Sequence, residues 1–100
     1  MDFKDLKIVL SGIHTNDHNR HRAITVASHL VSSELGDEWN DLSDDQTDSM
    51  IESSAKRLWD NYMHCRKSLK MTNAEAAEQV IMEEIRGLKQ LFHPNMRNSG

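Results

Sequence analysis

The chain has 100 residues, a length that suits one hydrophobic core. A net charge of −4 and a pI near 5.8 argue against broad binding to nucleic acid or acidic membrane, which needs a basic footprint. Hydrophobic residues make up 37% and aromatic residues only 5%, so the core must be built from Leu, Ile, Val, Ala and Met rather than from large rings. The six methionines fit irregular packing, because an unbranched thioether fills uneven gaps.

No apolar run approaches the ~18 residues that span a bilayer. The opening "MDFKDLKIVLSGI" is too short and too charged for a secretory leader. One cysteine, Cys65, excludes an internal disulfide framework, and a cytoplasmic location is the resulting expectation.

Four helical patterns follow one another, with no convincing strand. In the first, Phe3, Leu6, Leu10 and Ile13 recur at steps of three, four and three and share a face. Gly12 is its expected stop. Thr15 or Asn16 can cap the second helix, whose inner face is read as Ala23, Ile24, Ala27, Leu30, Val31 and Leu35, with Gly36 ending it.

The third pattern is the clearest. Ser43 and Gln46 form a capping box in "SDDQ". Ile51, Ala55, Leu58, Tyr62, Cys65 and Leu69 then recur as a heptad seam. Running to about Lys70, this helix would measure about 40 Å at 1.5 Å per residue. That is long beside the radius of gyration of about 13 Å expected for 100 residues. Either the helix is interrupted or a second copy buries part of its seam, and a homodimer is the favoured expectation.

Thr72 and Glu75 form another capping box in "TNAE". Ala77, Ile81, Ile85, Leu88 and Phe92 mark the inner face of the fourth helix, widened by Val80 and Leu91, and Pro94 closes it. The expected architecture is a small all-α bundle of about four helices. Residues 1–94 form one domain and 95–100 a frayed tail.

Charge lies in blocks. Eight acidic residues and no Lys or Arg occur between Glu34 and Glu52, whereas Lys56, Arg57, Arg66, Lys67 and Lys70 oppose only Asp60 farther on. The third and fourth helices place acids early and bases late, as the helix dipole favours. The second reverses this, with Arg20 and Arg22 near its start and Glu34 near its end. Such a break in a local rule points to a tertiary contact or to function. The chain's own acidic segment, or that of a second copy, is the first candidate partner for that basic start, and a phosphate or an acidic protein the second.

Chemistry-bearing motifs are few. His14, His18 and His21 are spaced to share a helical face, with His29 farther along the same side, yet that side lies opposite the apolar one and no Cys-x-x-Cys or His-Glu-x-x-His accompanies them. No metal or other cofactor is therefore assigned. The acidic segment lacks the ligand alternation of a calcium loop. Cys65 lies on the seam, where a thiol stays protonated, and His64 points elsewhere. Glu75, Glu78, Glu83 and Glu84 invite a magnesium-dependent reading, but Glu78 and Glu83 do not share a face.

The sequence therefore favours a non-enzymatic regulator or inhibitor that binds another protein, with nucleic-acid mimicry by the acidic segment as one form of it. Two surfaces are expected to make contact. One comprises His18, Arg20, His21 and Arg22; the other comprises Asp37, Glu38, Trp39, Asp41, Asp44, Asp45 and Asp48, with Trp39 and Leu42 as apolar anchors. The competing classes are a metal- or nucleotide-dependent helical-bundle enzyme or ligand-binding protein and a nucleic-acid-binding regulator using Lys56, Arg57, Arg66, Lys67 and Lys70.

Overall fold

The computed structural model describes residues 2–11 and 20–93, with Arg20 described by its backbone alone. The expected stop at Gly12, the contact of Ile13, the caps at Thr15 or Asn16, and the tail beyond Pro94 lie outside the described residues, as do His14 and His18. Four helices and no strand occur among those described: α1 Phe3–Ser11, α2 Arg20–Leu35, α3 Asp44–Lys67 and α4 Asn73–Phe92. A six-residue 3₁₀ segment, Gly36–Asp41, joins α2 to α3. No described helix is long and apolar enough to cross a membrane.

Local signals account for the boundaries. Gly36 adopts φ +58°, a left-handed conformation that glycine enters without steric cost, and α2 ends before it. Both capping boxes are formed. The Ser43 hydroxyl accepts from the Gln46 amide at 3.2 Å, and the Gln46 side chain accepts from the Ser43 amide at 2.9 Å. Thr72 and Glu75 repeat the exchange at 3.2 and 3.0 Å.

At its other end α3 stops at Lys67, not Lys70. The Ser68 and Leu69 amides both reach back to the His64 carbonyl, and the Met71 amide reaches the Cys65 carbonyl. Lys70, at φ 55°, makes the left-handed turn that permits this reversal. Leu69 is thereby carried off the seam and is 58% exposed.

Successive helices run in opposite directions. Arg22 near the start of α2 meets Val9 near the end of α1, and Glu34 at the end of α2 meets Lys89 and His93 at the end of α4. Glu84 of α4 meets Arg57 of α3, while Leu91 and Phe92 farther along α4 share a hollow with Ser49 and Met50 earlier in α3, so these two helices are antiparallel as well. One core joins all four. Leu6, Leu10, Val26, Ala27, Val31, Leu58, Tyr62, Val80, Ile81 and Leu88 are buried together in it.

The seam of α3 closes within the chain: Ala55, Leu58, Tyr62 and Cys65 are buried and Ile51 is half-buried. The molecule measures 36 × 34 × 21 Å with a radius of gyration of 13.8 Å. At 1.5 Å per residue a helix of 24 residues is about 36 Å long and spans the longest dimension of this flattened body. Helix length therefore supplies no reason for a second copy.

The inner faces of α1 and α2 fall as expected, with Val26 added to the second and Ile24 only half-buried. On α4 the expectation needs two corrections. Leu91 is 65% exposed, and Glu84, which interrupts the apolar pattern, is only 6% exposed.

Candidate interaction surface

The alternating helix directions sort the charge blocks onto two ends of the bundle. The end of α2, the 3₁₀ segment and the start of α3 lie together at one end. There Asp37, Glu38, Asp41, Asp44, Asp45 and Asp48 are all exposed. Trp39 and Leu42 sit among them, half-buried and packed against the core cluster. The capping box sets Asp44 and Asp45 in the first turn of α3, where the helix dipole favours carboxylates.

At the opposite end the start of α2 meets the end of α3. His21, Arg22, His64, Arg66, Lys67 and Lys70 are exposed there. The two basic groups of the sequence thus lie at one end of the bundle, which their separation along the chain conceals. Arg20 begins α2 at this end, and His18 precedes the described helix.

Within one copy the acidic segment is not the partner of the basic start of α2, contrary to the first form of that expectation. The two are separated by the length of α2, and no ion pair joins them among the described residues. Two tertiary contacts explain the reversed charges instead. Arg22 Nη1 donates to the Val9 carbonyl at 3.4 Å, placing a cation at the negative end of α1, which has no basic residue in its own last turn. At the other end of α2, Glu34 lies 3.8 Å from Lys89 Nζ and 3.9 Å from His93 Nε2. His93 also shares a 3.0 Å hydrogen bond with the Glu34 carbonyl.

The principal polar feature of the interior is one that the sequence reading missed. Glu84 accepts from Arg57 Nη2 at 2.8 Å, from Arg57 Nε at 3.0 Å, and from the Ser54 hydroxyl at 2.7 Å. This forked contact uses two guanidinium nitrogens and raises the Arg57 pKa chiefly through hydrogen bonding to Glu84. Arg57 therefore belongs to a structural pair and is not a free member of a basic strip. One signal was available: Glu84 is three or four residues from Ile81, Val80 and Leu88, all on the inner face, so its side chain had to enter the core.

The other glutamates of α4 diverge. Glu75 closes the capping box, Glu78 lies 3.8 Å from Lys7, and Glu83 accepts from Gln79 at 2.6 Å. Hydrogen bonds from the Thr72 backbone and side chain hold the Glu75 carboxyl below its ordinary pKa of 4.5. Burial, helped by nearby Glu83, pushes the Cys65 thiol up. No three His, Cys, Asp or Glu side chains among the described residues converge as a metal site.

Among the described residues, two open hollows mark the sides of the bundle. One, of about 180 Å³, is lined by Phe3, Leu6, His29, Leu30, Ser33, Glu34 and Ile85. The other, of about 220 Å³, lies between α3 and α4 near the acidic end. Fold and charge together define a small antiparallel four-helix bundle with the acidic segment at one end and the basic residues of α2 and α3 at the other. No protein-family model, curated protein or solved structure matches the chain.

Proposed function

We propose that this chain is a non-enzymatic interaction module that regulates or inhibits a macromolecular partner by binding a basic surface on it. The observation that supports this reading most is the acidic end. Six exposed carboxylates, from Asp37 to Asp48, surround the half-buried Trp39 and Leu42. None of the six has an ion-pair partner among the described residues.

Concentrated like charge is left unpaired at some electrostatic cost, and a cationic partner relieves that cost while gaining an accelerated encounter. Trp39 and Leu42 add an apolar ledge, so contact extends beyond charge alone. A basic surface of this kind also takes nucleic-acid phosphates, which makes competition with nucleic acid the expected mode of inhibition.

The test is capture of partners from the native cell on the immobilised chain, with and without neutralisation of Asp37, Glu38, Asp41, Asp44, Asp45 and Asp48. A cationic partner should be retained by the native chain, lost by the neutralised one, and displaced by DNA or RNA. Equal retention on both forms would refute the reading.

The opposite end favours a second reading, direct nucleic-acid binding, because the fold brings His21 and Arg22 to the same end as Lys67 and Lys70. Retention of the chain on DNA or RNA that falls steeply with salt and depends on those residues would establish it instead.

A further inference from the structure

The outer face of α4 carries a charge pattern that is its own complement. Glu75, Glu78, Met82, Arg86 and Lys89 follow one another at steps of three, four, four and three, so they form one stripe along the helix. The stripe lies opposite Ala77, Val80 and Glu84, which are buried, and all five of its residues are exposed. Met82, its single apolar member, stands at the centre and is 47% exposed.

Glu78 and Arg86 stand four residues to either side of Met82, and Glu75 and Lys89 stand seven to either side. At 1.5 Å per residue these offsets are about 6 and 10.5 Å along the helix. A two-fold rotation about an axis through Met82, perpendicular to the helix, therefore sets each acid against a base.

The helix dipole alone does not produce this pattern. It favours acids in the first turn and bases in the last, which covers Glu75 and Lys89. Glu78 and Arg86 lie outside those turns, and the dipole requires neither a shared face nor equal distances. Pairing within the helix does not account for it either, because Met82 occupies the position four after Glu78 and four before Arg86. Nor do the chain's own contacts absorb the stripe. Glu78 is 3.8 Å from Lys7 and Lys89 is 3.8 Å from Glu34, with side chains still 53% and 62% exposed. Arg86 has no ion-pair partner among the described residues.

We propose that α4 packs against α4 of a second copy, antiparallel, across a two-fold axis at Met82. Glu78 meets Arg86 and Glu75 meets Lys89, each pair occurring twice, around a central contact between the two Met82 side chains. Such a contact uses the same patch on both copies and closes at a dimer. Charge fixes its direction, since a parallel pair in register would set acid on acid and base on base. This pairing uses none of the acidic-surface residues and stands or falls apart from that reading.

Sedimentation equilibrium of the full chain at low salt should show a monomer–dimer equilibrium that weakens as salt is raised. Glu78→Arg and Arg86→Glu should each weaken dimerisation by about tenfold or more, because the two-fold axis turns each change into two like-charge encounters. An equimolar mixture of these two variants should form a mixed dimer. The double variant Glu78→Arg, Arg86→Glu should recover self-pairing to within about threefold of the native chain. Met82→Glu, which leaves every charged pair in place, should also dissociate the dimer and serves where a charge variant loses its helical circular dichroism.

A native chain that stays monomeric at about 1 mM would overturn the pairing. So would single variants that dimerise like the native chain, or a mixture and a double variant that both fail to recover. Assembly that grows beyond two copies would overturn it as well, because a two-fold contact closes.

Discussion

Replacing Arg57 by methionine tests the polar link between α3 and α4. Glu84 is only 6% exposed and has Arg57 and the Ser54 hydroxyl as its hydrogen-bond partners. Removing one partner of a fully buried ion pair costs about 3–5 kcal/mol, because the remaining charge is left uncompensated. Arg57 is 48% exposed, so water enters part of the space it vacates and the Ser54 bond remains. A loss of about 2–3 kcal/mol is therefore expected, a large share of the roughly 5–15 kcal/mol that stabilises a domain. The double variant Arg57→Met, Glu84→Met should regain most of this, since replacing both charges by apolar groups of similar volume is often neutral. Urea unfolding followed by far-ultraviolet circular dichroism measures all four forms of the cycle. A single-variant loss below about 0.5 kcal/mol, or a double variant no better than the sum of the singles, would show that the pair does not couple the helices.

Three further outcomes are expected from the structure. The Tyr62 hydroxyl is buried without a hydrogen-bond partner among the described residues, and burial pushes its phenol pKa up while Arg66 opposes this. Tyr62→Phe should therefore raise stability by up to about 1 kcal/mol, read as a higher melting temperature. Gly36→Ala should cost about 1 kcal/mol and Lys70→Gly should gain about half that in urea unfolding, because both positions have positive φ and neither change removes a core contact. Glu75 has a depressed carboxyl pKa in the fold, so its contribution is complete above the ordinary 4.5 and lost as pH falls through the lower folded value. Glu75→Gln should keep the box while removing that acid sensitivity, as a pH series of melting curves will show.

The architecture was largely legible because its signals are local. A hydroxyl three residues before Gln or Glu reports a helix start, which is why Ser43 and Thr72 marked α3 and α4 correctly. Steps of three and four placed Leu6, Leu10, Ala27, Val31, Leu58 and Tyr62 on inward faces. The same rule erred at Leu69, where a backbone reversal at Lys70 ended the helix earlier, and at Leu91, where the apolar face is broader than the space α3 offers. Nor does hydropathy reveal a buried carboxylate whose cation lies on another helix, as with Glu84 and Arg57.

The acidic segment, the carboxylates at the start of α3 and the basic residues at its end were readable as separate runs. Their arrangement into two ends follows from helix direction, which only packing decides. The reversed charges of α2 illustrate the division. Sequence showed that Arg22 and Glu34 oppose the dipole of their own helix. Tertiary structure supplied the Val9 carbonyl, Lys89 and His93 that accommodate them, since charges respond to neighbours in space and the chain's order does not list those neighbours.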